Sequence, residues 1–379
     1  MRLKVVNRQL PDSEPSSPRR ERRLWHVANE GMMPMGCGAC PDSSLCGGLQ
    51  INDKIFDCGS FCRCPDPAAC DTVCRARPEH YVARRSEVFG FDLANVPRCE
   101  AVASIKAPSY IPMLMHGSRR STPLKLDAVA VPLAELLDRR SGAHRFGSRA
   151  ELYDHFMLDD LTAVIASGTD EDKSIERVWG LKDPAAFAKT LMNMGVSAVT
   201  SPNFSLFNDV PRWDNLYNMK RIALCWQQFQ SAGLHSLLHV NARTDQDWNR
   251  WIEFIEARPE ISGVAFEFGT GAGAQSREGW HRDQLCRLAQ SISRPLELYV
   301  RGGLQVLGEL RTAFGNANIK MIDSRPFMKA MHRQAGEIAA SGKLEWTPAP
   351  TAFGQELDDL LALNIFQCRL DVLQGTRRK

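Results

Sequence analysis

The sequence predicts an α/β protein, a (β/α)8 barrel of the TIM-like kind preceded by a small Cys-rich metal-binding domain, and three observations predict it. From about residue 105, short runs rich in Val, Ile and Leu alternate with longer stretches of helical period, the signature of βα units around a parallel sheet. Eight such runs occur in the remainder of the chain, whose length is close to the about 250 residues of an eight-fold barrel. Upstream, eight of the 12 cysteines fall between Cys37 and Cys74.

In chain order, residues 1–24 read as a basic mobile arm, 25–104 as the Cys-rich domain and 105–379 as the barrel with a closing helix. The arm carries "PRRERR" and lacks the apolar core of a secretory signal. No uncharged apolar run in the chain approaches the about 20 residues of a membrane span, so the expected location is the cytoplasm and no membrane partner is expected. A net charge of +3 excludes a global polycation, while 44% hydrophobic and 24% charged residues are ordinary for a globular chain.

A reducing compartment disfavours structural disulfides and turns a cysteine cluster toward metal or redox chemistry. "CPDSSLC" at 40–46 is repeated as "CPDPAAC" at 64–70. Each copy follows another nearby cysteine (Cys37, Cys62) and precedes a fourth (Cys58, Cys74). Eight thiols, Cys37, Cys40, Cys46, Cys58, Cys62, Cys64, Cys70 and Cys74, suit two four-thiolate metal sites, since zinc and iron-sulfur clusters both take four sulfurs. Proline and aspartate favour a tight turn after the first thiolate, and the neighbouring glycines let backbone pack close. Only Cys37 and Cys40 have the C-x2-C spacing typical of zinc, so iron-sulfur clusters are slightly favoured over zinc. Cys99, Cys225, Cys286 and Cys368 read as packed or incidental thiols. After the cluster, Arg75, Arg77, Arg84 and Arg85 surround Tyr81, either as a phosphate-binding face or as a solvated helix beside the metal site.

The eight strand candidates are "SYIPMLMH", "KLDAVAVPL", "LTAVIASG", "VSAVTSPNF", "HSLLHVNA", "ISGVAFEFG", "LELYVRGG" and "NIKMIDSR". Between and after them, "DPAAFAKTLMNMG", "DWNRWIEFIEARPE", "HRDQLCRLAQSIS", "LQVLGELRTAF" and "GQELDDLLALNIFQCRLDVLQ" have helical period.

Alternate residues of a barrel strand point inward or toward the helices. With Val264, Phe266 and Phe268 outward, Ala265 and Glu267 face inward; with Leu298 and Val300 outward, Glu297, Tyr299 and Arg301 face inward. His239 shares a face with Asn241, and Ser201 with Asn203. Several of these polar residues gather at the strands' carboxyl ends, where barrel enzymes place their active sites. Glu267, Arg301, Asn241, Asn203, His116 and either Asp323 or Ser324 are therefore expected to ring one mouth, with Glu297 and Lys320 as a structural ion pair lower down. A charge inside a barrel costs several kcal/mol, of order 3 to 5, unless paired, which is why such a ring points to function.

Two glycine-rich turns border the same mouth: "FGTGAGAQSREG" with Gly271 and Gly273, and "RGGLQ" with Gly302 and Gly303. Such turns let backbone amides approach a phosphate or a planar base. With Arg119 and Arg120 in "HGSRRS", they predict an anionic ligand, a nucleotide or nucleic acid.

Residues 201–242, "SPNFSLFNDVPRWDNLYNMKRIALCWQQFQSAGLHSLLHVNA", resemble the core of an uncharacterised family of bacteria and their phages, through S-P-N-F-S followed by a proline, an asparagine, an arginine and an aromatic helix leading into a strand. That resemblance implies a phage-associated setting and no particular chemistry. "VRGGLQVLGEL" is similar to the Gly-Gly-Leu turn of tRNA-guanine transglycosylases, matching at Gly302, Gly303 and Leu304. The likeness implies base exchange with Asp323 standing for the nucleophilic aspartate. A radical S-adenosylmethionine enzyme is not expected, since no C-x3-C-x2-C occurs.

Three functions are consistent with these residues. The first is an enzyme of nucleotide or nucleic-acid modification, with Glu267 or Asp323 as general base or nucleophile and Arg301 stabilising negative charge. The second is a nucleic-acid-binding component of a phage or defence assembly. The third is an iron-sulfur redox or sensing protein. The enzyme is the expectation, because convergent polar residues inside a barrel otherwise have little reason to be there.

Overall fold

A computed structural model describes residues 50–51, 54–55, 84–138, 144–206, 212–268, 275–352 and 354–374. The eight clustered cysteines, Gly271, Gly273, Arg75, Arg77 and Tyr81 lie outside the described residues.

The eight expected strands all form: β1 (Tyr110–Pro112), β2 (Ala128–Pro132), β3 (Ala163–Ser167), β4 (Val196–Thr200), β5 (His235–His239), β6 (Gly263–Glu267), β7 (Glu297–Arg301) and β8 (Ile319–Asp323). Each pairs in parallel with its sequence neighbour from β2 through β8, and β8 pairs in parallel with β1. A parallel bridge between Met113 and Ala130, with the Leu114 N–H donating to the Ala130 carbonyl at 2.9 Å, joins β1 to β2 and completes the circuit. The chain is an α/β barrel of the TIM-like kind.

The helices follow from their caps and apolar faces. α1 (Arg149–Phe156) begins at Ser148, whose hydroxyl accepts from the Glu151 N–H. α2 (Asp172–Trp179) is followed by α3 (Pro184–Asn193), which has Asp183 as N-cap and proline at its first position. α4 (Arg212–Ser231) precedes β5, and α5 (Asp245–Glu256) starts with a capping box between Thr244 and Asp247. α6 (Gln275–Ser291), α7 (Leu307–Phe314) and α8 (Arg325–Met331) follow β6, β7 and β8. An antiparallel hairpin, β9 (Gln334–Ile338) with β10 (Leu344–Pro348), then leads to α9 (Asp358–Gln374).

Two apolar layers hold the barrel. The outer layer packs Val264, Phe266, Leu298 and Val300 against helix residues such as Trp226, Trp248 and Trp251. The inner layer is built by alternation in size: small residues from β2 (Ala128, Ala130), β4 (Ala198) and β6 (Ala265) sit among large ones from β1 (Ile111) and just past its end (Met113), from β3 (Ile165), β5 (Leu237) and β7 (Tyr299), with Ile322 from β8. This is how a narrow barrel interior fills.

The chain ahead of β1 runs along α4 and α5 to the barrel's amino-terminal end. Arg250 donates to the Phe91 carbonyl at 2.6 Å, Arg258 to the carbonyls of Val96 and Pro97, and Gln230 to that of Glu100 at 3.4 Å. Ala107 then enters the inner layer and Ile105 packs on it, so this segment plugs the end opposite the strands' carboxyl termini.

Candidate active site

The inner layer fixes which side chains reach the carboxyl-terminal mouth. Glu267 lies two residues beyond Ala265 and Arg301 two beyond Tyr299, so both continue inward-facing positions at the strand ends. The β6–β7 register makes them direct neighbours, and Arg301 Nε stands 3.5 Å from Glu267 Oε2. The Glu267 side chain is only 3% exposed, while that of Arg301 keeps 24%. A carboxylate this buried is retained by its cation, and the cation still reaches solvent. Arg301 Nη1 also donates to the Thr169 carbonyl at 3.4 Å, which ties the pair to the loop after β3.

Asn241 and Asn203 form the adjoining edge. Asn241 Nδ2 donates to Asn203 Oδ1 at 2.8 Å and to the Phe204 carbonyl at 3.2 Å. Asn203 is held by its own N–H, which donates to the Gly168 carbonyl at 2.9 Å. Gly168 is needed there, because a Cβ would lie 2.4 Å from the Thr200 carbonyl oxygen. The "RGG" turn is equally specific. Gly302 and Gly303 have φ of 74° and 68°, and a Cβ on Gly303 would lie 2.5 Å from the Phe268 ring.

Below the mouth the barrel contains polar groups with no apolar rationale. Both ring nitrogens of His239 and the hydroxyl of Tyr299 are buried and have no hydrogen-bond partner among the described residues. The register β5–β6–β7 puts His239, Ala265 and Tyr299 in one row, with only a methyl between the two polar residues. Burial pushes the His239 imidazole down to about 3, so it is neutral, and holds the Tyr299 phenol protonated, with the Glu297 charge adding to the effect.

Glu297 and Lys320 belong to the opposite end. They line a cavity of about 530 Å³ with Asp127, Lys106 and the plug residues Ser104 to Pro108. Burial raises the Glu297 carboxyl and the Lys320 charge opposes that rise. Lys320 Nζ donates to the Ala317 carbonyl at 2.8 Å.

Four expected site residues are placed elsewhere. Asp323 pairs in register with Pro112, while its neighbour Ile322 pairs with Ile111, and both isoleucines are in the inner layer. Asp323 therefore faces outward, toward α9. It accepts from Arg325 Nε at 3.1 Å, from Arg325 Nη2 at 2.9 Å, from the Arg325 N–H at 2.9 Å and from the Tyr110 hydroxyl at 3.4 Å. Arg325 Nη1 in turn donates to Asp371 on α9 at 2.9 Å. Asp323 is a structural clip between β8, α8 and α9 and cannot attack a group bound inside the mouth; Ser324 opens α8.

Arg120 is also structural. Its guanidinium is buried and donates to the carbonyls of Phe156, Met157 and Thr122, with Asp358 3.7 Å from Nε. Arg119 is exposed, in a left-handed backbone conformation (φ 62°), and its carbonyl accepts from the Leu357 N–H. His116 contacts the Ser118 hydroxyl at 2.6 Å through Nδ1 and the Phe327 ring edge-on at 4.9 Å, and burial lowers its basicity. These contacts place it beside α8, apart from the Glu267–Arg301 pair.

Sequence reasoning missed Thr169 and two arginines. Arg243, two residues past Asn241, and Arg277, in the first turn of α6, meet at the mouth, where Arg277 Nη2 donates to the Arg243 carbonyl at 2.9 Å. The parity that placed Asn241 extends to Arg243 and was the available signal.

No group of three or more His, Cys, Asp or Glu side chains able to hold a metal occurs among the described residues. No helix among them is long and apolar enough to cross a membrane.

No protein-family model matches this chain, and no curated protein matches it. Among solved structures, it is similar to a candidate lyase/mutase from Burkholderia cenocepacia J2315, at 16% identity and a TM-score of 0.33, covering 66% of this chain and 86% of that one. It is similar as well to a candidate deoxyribose-phosphate aldolase from Coccidioides immitis, at 11% identity and a TM-score of 0.35, covering 66% and 95%. The barrel itself is established by strand order and register, and no activity is carried over from either protein.

Proposed function

We propose that this chain is a barrel enzyme that modifies a nucleotide or nucleic-acid substrate at the carboxyl-terminal mouth, with the cysteines of residues 37–74 holding a metal. The observation that carries the reading is the Glu267–Arg301 pair, a buried carboxylate and a partly exposed guanidinium side by side at the ends of adjacent strands. Glu267 acts as the general acid-base and Arg301 stabilises negative charge that develops on the substrate. The Asn203–Asn241 edge orients the ligand through amide groups that offer both donors and acceptors. Because Asp323 is spent in its clip with Arg325, covalent catalysis by that aspartate is not part of the proposal. Glu267 takes the carboxylate's role.

The test is a Glu267→Gln variant, which keeps the side chain's shape and removes its proton transfer. Purified wild-type protein and variant are incubated with nucleotides and with RNA and DNA oligomers, and products are followed by mass spectrometry. The expected result is turnover by the wild type and a loss of about 10²-fold or more in the variant, with binding retained. Salt-dependent nucleic-acid binding that Glu267→Gln and Arg301→Met leave untouched, without turnover, would instead make the chain a binding component of an assembly.

A further inference from the structure

We infer that the cavity at the amino-terminal end of the barrel is a ligand site that takes a free α-amino acid, whose ammonium group meets Glu297, whose carboxylate meets Lys320 and whose short apolar side chain lies against the plug. The site is at the end opposite the Glu267–Arg301 mouth and does not depend on the function proposed for that mouth.

Strand parity brings the two charges together. Glu297 lies two residues before Tyr299, and Lys320 two before Ile322. Tyr299 and Ile322 both belong to the inner layer, so both charged side chains face the barrel interior. In the β7–β8 pairing Lys320 stands opposite Tyr299, which makes Glu297 and Lys320 diagonal neighbours on adjacent strands.

They do not form the ion pair that their sequence positions suggest. Among the described residues the Glu297 carboxylate has neither a hydrogen bond nor an ion pair, and its Oε2 is buried. Lys320 is 8% exposed and its ammonium makes one bond, to the Ala317 carbonyl at 2.8 Å, so two of its three donors remain. The two charges still reach each other, since Lys320 opposes the rise that burial imposes on the Glu297 carboxyl.

The surrounding residues leave this gap unfilled. On the other side of Glu297 the β6–β7 register places Gly263, where a Cβ would lie 2.7 Å from Leu237 Cδ2 and 3.2 Å from Glu297 Cβ. That neighbour is a glycine under an apolar side chain, so it supplies the carboxylate with no side-chain donor. The other charges at the cavity, Lys106 and Asp127, are exposed and of opposite sign, and neither forms an ion pair with Glu297 or Lys320 among the described residues. The rim therefore adds no net charge. The cavity volume of about 530 Å³ is within the about 300–1,000 Å³ of small-molecule sites. Its plug wall is apolar at Ile105, Ala107 and Pro108.

A carboxylate and an ammonium withdrawn from water, and not in contact, leave the cost of burial unmatched by their attraction. A simple cation would satisfy Glu297 alone and a simple anion Lys320 alone. An α-amino acid carries both groups on one carbon and offers each a charge-assisted hydrogen bond. Its apolar side chain then matches the plug wall.

Full-length protein is titrated by calorimetry with L-valine, isobutylamine and isovalerate; the last two keep the valine side chain and one charge each. Wild type is expected to bind L-valine at least tenfold more tightly than either. Glu297→Gln, which keeps the shape of the side chain, and Lys320→Met each lower L-valine affinity tenfold or more, while Glu267→Gln at the mouth leaves it within twofold. Circular dichroism checks folding, and should Lys320→Met fail to fold, Glu297→Gln reads the same loss. Should neither variant fold, the comparison of the three probes on wild type decides. No binding of L-valine by wild type overturns the site, and so does equal affinity for the singly charged probes. Affinity lost in Glu267→Gln and kept in Glu297→Gln puts the amino acid at the mouth and overturns its assignment to this cavity.

Discussion

Histidines 235, 239 and 281 are buried in this fold, and each is held well below the ordinary imidazole value, at about 4, about 3 and about 2. Burial is the first cause in all three. For His281 the charges of Arg277 and Arg243 add to it. An unfolded histidine takes up a proton near pH 6.5, whereas these three stay neutral in the fold until much lower pH. Between those limits the unfolded state binds more protons, so stability is full above about pH 6.5 and falls as the pH drops toward the folded values. Each histidine contributes about 1.4 kcal/mol per pH unit across that window. Urea unfolding of wild type and His281→Leu at pH 7.5, 6.5 and 5.5 is expected to show a shallower acid slope in the variant by about that amount. Equal slopes would mean that His281 takes a proton in the fold.

At the same scale, the legibility of the candidate site followed the parity rule. Glu267, Arg301 and Asn241 were readable because each stands two residues past an inward position on a regular strand. Asp323 was not, because "MIDSRP" offers two polar residues at the strand end and periodicity alone gives no phase for a strand with apolar residues on both faces. The phase is set by Ile322 meeting Ile111 across the β8–β1 pairing. Arg120 looked like a ligand-binding arginine and is instead consumed by three carbonyls, two of them at the end of α1, 36 and 37 residues away.

Among the elements, strands were more legible than helices and hairpins. All eight strand runs were visible because a buried parallel strand is a dense block of Val, Ile and Ala flanked by turn residues. The β9–β10 hairpin escaped, since both its strands are only half-buried and its register is held by α9. Asn364 accepts from the Gly336 N–H at 2.8 Å and donates to the Gln334 carbonyl at 2.9 Å. The start of α5 is where an element's geometry bears directly on the site, because Asp247 caps the helix and at the same time fixes the Arg243 backbone. Thr244→Ala removes half of that capping box and is expected to cost about 1 kcal/mol in chemical denaturation. An unchanged denaturation midpoint would mean that the box does not hold the helix start.

For the whole molecule, the open question is the cysteine segment of residues 37–74, which lies outside the described residues. Its proposed chemistry is tested through metal content. Protein purified anaerobically is expected to be brown, with iron and acid-labile sulfide in comparable amounts; the alternative is a colourless protein with about two zinc ions. Iron would open redox chemistry to the cysteine segment. Zinc would make that segment a structural or docking module, and the mouth around Glu267 and Arg301 would carry all the chemistry.

The sequence by itself determined the barrel, its eight strands and the side on which Glu267, Arg301, Asn241 and Asn203 gather, because strand period and composition are local properties that a parallel sheet translates directly into inside and outside. Tertiary structure alone decided which charged groups meet. Arg325, two residues past Asp323, ties that carboxylate to Asp371 on α9, Arg120 found the Phe156 and Met157 carbonyls, and Arg277 found that of Arg243, since such contacts join residues far apart in the chain and a charge keeps its reactivity only where the fold provides no neutral or opposite partner to absorb it.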